Sequence, residues 1–459
     1  MTPKKPALVE LRDVPWSDVW ENIRRASPIV SPKVGLVRAL QQGVSRAQDP
    51  EFFAMGLATQ DLARFSEIKN SGKAGGGGEL PEQALVATLG EAIERYCTLF
   101  FDKSQMVRGS ARELGDDVVD IDLIRYFSRE QVETLGDSLG YSYFTEDSET
   151  YWVWGTSLTT GKQRLVPASQ IYLNYKIDEG EVCPGKNAST GLAAGGTIEE
   201  AILTGLFEIV ERDCFTIAWL HRKVKARIGI DDPDLERLLY ERFHYAHPDV
   251  EIVFYDITLD VPIPSIFAVM QRPAEFGFAN CVTSVSRLSM REAIHKGLRE
   301  LGQELPYIRY LRHQLEDWEP KDDYSDLVTF DHHFTFYSKR PDLVDEAMAF
   351  CNDVEEDVLL SELPDHTTGR PLGDIERSVA FLAEHGYEVI VVDITTEDIR
   401  ELDWSVVRVI VPGLVPLYGN HTRQYHGIPR LWDIPKKLGW AENGWDPRAG
   451  LNPFPHPFP

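Results

Sequence analysis

The pattern Glu-x-x-Glu-Arg occurs twice in this chain: "EAIER" places Glu91, Glu94 and Arg95, and "EIVER" places Glu208, Glu211 and Arg212. At about 100° per residue, the charged members of each copy share one helix face. Leu85, Leu89, Ile93 and Tyr96 take the other face of the first helix, and Leu206, Ile209 and Val210 that of the second. Glu200 and Thr204 extend the second polar face toward its start. A single copy would be an exposed i,i+4 ion pair worth about 0.3–0.5 kcal/mol. Two copies, each behind a glycine-rich lead-in ("GKAGGGG" and "STGLAAGG"), carry a different implication. Carboxylates on facing helices repel unless a cation lies between them, and Mg2+ takes oxygen ligands of this kind. The two arginines offer forked donors suited to phosphate. Together with the lysine of the first glycine stretch, the set points to a nucleoside triphosphate.

The helices that must position these residues belong to an internal repeat. "EAILTGLFE" (Glu200–Glu208) and "EAIHKGLRE" (Glu292–Glu300) share E-A-I-x-x-G-L-x-E, and the first helix joins when Glu91 is set against Glu208. In that register Gln303 and Glu304 of the third copy replace the second glutamate and the arginine. Three related helices imply three related α/β subdomains around a common centre. Periodicity predicts helices over 81–101, within the stretch 189–213 and in "SMREAIHKGLRELGQ". Strands are predicted in "YWVWGTSL", "QRLVPASQIYL", "VEIVFYDIT", "YEVIVVDIT" and "VVRVIVPGL", with "SPKVGLVRAL" as a further pairing segment. The run "KAGGGG" reads as a loop feeding the first helix, "DWEPKDDYSD" as an exposed loop, and the histidines of "FDHHF" as exposed or packed. "GEVCPGKN" nearly matches a P-loop, but Asn187 stands where Ser or Thr should, a proline interrupts it and no helix is predicted after Lys186.

Composition excludes several function classes. Across 459 residues, 73 acidic against 47 basic side chains give a net charge of −26, which argues against a nucleic-acid partner. The five cysteines (Cys97, Cys183, Cys214, Cys281 and Cys351) form no CxxC pair, so neither a zinc site nor a disulfide framework is indicated. No signal core or membrane-length apolar run is present, and a cytoplasmic location is expected. No Ser-His-Asp or Cys-His arrangement follows from spacing.

The motifs resemble the YcaO family of ATP-dependent peptide-backbone-modifying enzymes. "GKAGGGG", "LGEAIERYC", "STGLAAGGTIEEAILTGLFEIVERD", "REAIHKGLRELGQ", "DITTEDI", "VVRVIVPGL", "RLWDIPKKLGW" and "PHPFP" carry the resemblance, from about residue 70 onward. It implies an α+β fold of the YcaO type, with related α/β subdomains around a central ATP/Mg site. The implied organisation is a lead-in over 1–70, an ATP-binding catalytic domain over 71–445 and a proline-rich tail over 446–459 that enters the active site. ATP and Mg2+ would be held by Lys73, Glu91, Glu94, Arg95, Glu200, Glu208, Glu211 and Arg212, with Glu94, Glu200, Glu208 and Glu211 on the metal. Ala87 and Thr204 depart from the serine and the long polar residue frequent in the family. The PxPxP ending (Pro455, Pro457 and Pro459) resembles the azoline-forming branch, where the prolines serve catalysis by positioning. The implied reaction converts Cys, Ser or Thr of a ribosomal precursor peptide to thiazoline or oxazoline. The side chain attacks the preceding carbonyl, the oxyanion takes the γ-phosphoryl group of ATP, and phosphate leaves. A separate leader-peptide-binding partner resembling ubiquitin-activating enzymes is implied, and the sequence is compatible with a homodimer. Thioamide or amidine formation at the same ATP site, or a non-catalytic ATP-binding scaffold, are the alternatives.

Overall fold

A computed structural model of the chain describes residues 5–47, 49–61, 73–186, 188–244, 247, 249–354, 356–440 and 450–458. Three sheets form the frame. In the first, β1 (Val37–Gln42), β2 (Phe53–Thr59) and β3 (Lys73–Gly78) make an antiparallel meander in that order. The second takes β4 (Val107–Gly109), β5 (Thr150–Ser157), β6 (Gln163–Pro167) and β7 (Leu192–Gly195), and late in the chain β13 (Ile390–Asp393) and β14 (Ser405–Ile410). Its order is β4-β5-β13-β14-β7, with β6 paired to β5. The third runs β11 (Gly277–Ser286), β10 (Ser265–Ala274), β9 (Glu251–Asp256), β8 (Ala226–Gly229) and β12 (Asp357–Leu359).

Three of these strands lead into the motif helices, and each stands at the edge of its own sheet. After α1 (Val19–Ala26), β3 is followed by α2 (Pro81–Cys97), β7 by α3 (Ile198–His221) and β11 by α4 (Met290–Gln314). Helix α3 is the axis of the molecule. Apolar residues buried on every side, from Ala201 to Leu220, let it pack between β7 and β14 on one flank and β10 and β11 on the other. Helix α4 extends beyond the predicted span and continues through Pro306. One further helix matters below: α5 (Phe330–Lys339). Among the described residues, no helix is long and apolar enough to cross a membrane.

Two local expectations are corrected. "QRLVPASQIYL" is a strand only to Pro167 and then makes one helical turn over Ala168–Ile171. "KAGGGG" is strand β3, paired residue for residue with β2 from Phe53↔Gly78 to Ala58↔Lys73, and is not a loop. Its glycines serve close approach. A Cβ at Gly76 would lie 2.7 Å from both the Ala87 methyl and the Thr88 nitrogen of α2, and one at Gly77 would lie 2.3 Å from the Gln303 side chain of α4. Gly76→Ala is therefore expected to push β3 off α2 and cost about 1–3 kcal/mol, read as a lowered denaturation midpoint at unchanged slope.

Candidate active site

The three strand–helix units repeat one hydrogen bond. The Gly75 N–H donates to Glu91 Oε2 at 2.7 Å, the Gly191 N–H to Glu208 Oε2 at 3.1 Å, and the Thr283 hydroxyl to Glu300 Oε2 at 2.5 Å. Each links the edge strand, or the turn before it, to a glutamate 16 or 17 residues later. The register read from sequence, Glu91 with Glu208 with Glu300, is thus the structural one. Backbone and hydroxyl donors fix Glu91, Glu208 and Glu300, the glutamates at the equivalent position of each repeat, and the remaining charges fall into place from them.

On α2, Arg95 reaches Glu91 at 3.4 Å and Glu94 at 3.8 Å; on α3, Arg212 reaches Glu208 at 3.8 Å and Glu211 at 3.6 Å. The helices address each other. Burial raises the Glu94 carboxyl to about 8, helped by the Glu208 and Glu91 carboxylates and opposed by Arg95 and Arg408. Burial likewise raises Glu211 to about 7, opposed by Arg212 and by Lys296 of α4, with Glu300 and Glu208 adding to the rise. Lys296 pairs with Glu300 at 2.8 Å.

Several of these groups were not singled out from sequence as site residues: Glu300, Lys296, Thr283 and Arg408, and with them Arg287, a largely buried guanidinium close to Glu211 and Glu300. Arg408 is fully buried on β14 and donates to the carbonyls of Gln170, Ser189 and Ala188 at 3.0, 2.9 and 2.7 Å. It braces the turn before β7 that supplies Gly191, and its charge lies close to Glu94 and Glu208. The signal for Glu300 was present in the third repeat. An arginine inside an apolar strand, "VVRVIV", was the signal for Arg408. Glu304, standing in the register of the two arginines, is buried, and burial together with the Glu300 carboxylate holds its carboxyl well above the ordinary range.

Glu200 does not join the cluster. It accepts from the Ser17 N–H at 2.5 Å and the Ser17 hydroxyl at 2.6 Å, so its charge secures the N-terminal segment against the start of α3. It lies two turns before Glu208, about 12 Å along the axis. Lys73 opens β3, and its side chain lies outside the described residues, as does Pro459. Pro455 and Pro457 are buried, and Phe458 lies over Arg212 with the guanidinium carbon 4.0 Å from the ring centroid.

Among the described residues, no three carboxylate, imidazole or thiol groups stand close enough to hold a metal ion unaided. Mg2+ bound with a nucleotide does not need such a cage, since it keeps waters and takes one or two carboxylates plus phosphate oxygens. The residues fit that mode. The Glu211 carboxyl, buried, and the Glu94 carboxyl, largely so, lack full charge compensation, and Arg212 Nη1 is buried without a hydrogen-bond partner beside Glu211.

Carboxylates from three helices interleaved with arginines, on a frame of repeated strand–helix units, define a metal- and nucleotide-binding class. The chain belongs to the YcaO family: the family model described as YcaO cyclodehydratase, ATP- and Mg2+-binding, matches residues 75–415. An uncharacterized protein of Methanothermobacter thermautotrophicus is 28% identical over 274 residues, covering 58% of this chain and 66% of that protein. A heterocyclase solved in complex with substrate and cofactor shares the fold at a TM-score of 0.78 and 23% identity, over 98% of this chain and 59% of that one. The YcaO protein of Methanopyrus kandleri bound with AMPPCP and Mg2+ matches at a TM-score of 0.58 and 20% identity, over 86% of this chain and 89% of that one. The chain thus spans under two thirds of the first two.

The raised carboxyls give a pH prediction. Glu94 and Glu211 hold protons in the ligand-free fold that they release in the unfolded chain near 4.5, so stability falls as pH rises from there toward about 7 and 8. A cation between them reverses the preference and displaces those protons. Binding of Mg·AMPPCP at pH 7 should release roughly one proton, measured by calorimetry in buffers of different ionisation enthalpy, and Glu94→Gln should reduce that number.

Proposed function

We propose that this chain is an ATP-dependent peptide cyclodehydratase, closing Cys, Ser or Thr of a ribosomally made precursor into thiazoline or oxazoline. The observation that carries the reading is the meeting of the second Glu-x-x-Glu-Arg face, which lies beside the first through Glu208 and Glu94, with the buried Pro455–Phe458 segment, through Phe458 on Arg212. Membership of a family described as cyclodehydratases supports the reaction class. ATP with Mg2+ supplies the phosphoryl group that turns an amide oxygen into a leaving group.

The chain's own part is to hold and to neutralise. Glu91 and Glu208, fixed by Gly75 and Gly191, orient Arg95 and Arg212 along their helices. The two guanidinium forks are assigned to phosphate oxygens. Glu94 and Glu211, with Glu208 between them and Glu300 facing from α4, are assigned to the cation. Lys73, at the start of β3, is assigned to the nucleotide as well. Pro455, Pro457 and Pro459 stiffen the closing segment, so that seating it loses less entropy than ordering a flexible one. Their assigned role is to place the peptide against the phosphate site. Positioning and charge neutralisation supply the catalysis, which is why no nucleophilic triad is needed.

We assign recognition of the precursor's leader to a separate partner resembling ubiquitin-activating enzymes.

Glu211→Gln and Arg212→Ala should each lower peptide-dependent phosphate release and ring formation by roughly a hundredfold or more, with the circular dichroism spectrum unchanged. Mass spectrometry of a candidate precursor should show loss of one water per modified residue. An exchange of oxygen for sulfur would favour the thioamide reaction, and wild-type rates in both variants would remove the site assignment.

A further inference from the structure

Two motifs left unexplained by the nucleotide site meet in the structure. His333 of "FDHHF" lies flat on His456 of "PHPFP", with ring centroids 3.9 Å apart and planes 9° from parallel. His333 Nδ1–H donates to the His456 carbonyl at 3.0 Å, and one turn along α5 the Tyr337 hydroxyl donates to the Pro455 carbonyl at 2.7 Å. His456 in turn donates from Nε2 to the Tyr418 carbonyl at 2.7 Å and accepts the Phe458 N–H on Nδ1 at 3.3 Å. Burial holds both imidazoles neutral, so the stack carries no charge repulsion. A frayed terminal segment has no use for this many buried partners.

The segment ends its described path on Phe458, packed 4.8 Å from the Phe215 ring of α3 and across the Arg212 guanidinium. A guanidinium is a planar fork whose hydrogen bonds lie in its own plane. A ring against one face therefore selects the plane in which the fork can point.

We propose that α5 is the seat of the closing segment, with His333 and Tyr337 as positioning residues that lay Phe458 across Arg212 and thereby set the plane in which Arg212 meets a phosphate. The coupling rests on the nucleotide site assigned above. Without the ring, the Arg212 fork is free to turn toward Glu208 and Glu211, its nearest acceptors. Seating of the segment and affinity for the nucleotide thus rise and fall together.

The test uses the full chain. Its five cysteines are all buried, so a cysteine placed at 457 reports exposure of the segment against a low background of maleimide labelling. Adding His333→Leu and Tyr337→Phe to Pro457→Cys removes two hydrogen bonds and should speed labelling about tenfold or more. In the chain without the reporter, calorimetry with Mg·AMPPCP should show binding about threefold to thirtyfold weaker in Phe458→Leu, with affinity recovered in Phe458→Tyr. Unchanged labelling overturns the seat. Equal affinity in the leucine and tyrosine variants overturns the coupling through the ring. If the wild-type chain does not bind Mg·AMPPCP, the nucleotide assignment itself fails, while faster labelling would still identify the seat.

Discussion

Buried like charge is the constraint from which the rest of the structure follows. Glu211 is buried and Glu94 largely so, and other carboxylates crowd each of them. Desolvation alone would protonate them, and their neighbours add to that pressure. The fold answers with cations placed to offset the repulsion in part: Arg95 and Arg212 along the same helices, Lys296 from the third, and Arg408 from beneath. The compensation is incomplete, and a site short of positive charge is poised to take a cation. A scaffold that over-neutralised these groups would bind metal weakly, and one that left them bare would not fold around them.

The repeated strand–helix unit is how the chain arranges such a cluster without a metal to template it. In each unit an edge strand or the turn before it donates one hydrogen bond to the glutamate that opens the motif, and the helix then carries its charges to the common centre. Edge strands have donors free on one side. In the first unit the Gly75 N–H of edge strand β3 is such a donor, so an ordinary liability of sheets becomes one anchor of the site. The third unit has diverged: Gln303 packs on Gly77 and Glu304 is a buried acid, so α4 contributes Glu300 and Lys296 in place of a third glutamate–arginine set.

Sequence made the helices and the polar faces legible because the 3.6-residue period and the Glu-x-x-Glu-Arg spacing are local. The repeat register was legible for the same reason, and it located Glu300 before its role was visible. What sequence could not convey was contact between distant segments. "KAGGGG" has the composition of a flexible loop, and only the proximity of Ala87 and Gln303 explains why four glycines form a strand. Glu200 shares the helix face of Glu208, yet Ser17 claims it. Arg408 looked like a misfit in an apolar strand until the carbonyls of Gln170, Ala188 and Ser189 were brought around it. His333 and His456 lie 123 residues apart, and neither motif names the other.

Three helices are assigned to one metal–nucleotide site, on which their charge converges. A crystal structure of the full chain with Mg2+ and AMPPCP tests that assignment most directly. Phosphate oxygens are expected between Arg95 and Arg212, with the metal bound by carboxylates from both α2 and α3. A nucleotide seated elsewhere, for instance in the polar cavity lined by Glu79, Arg237, Arg291 and His295, with the Glu-x-x-Glu-Arg faces left untouched, would contradict it.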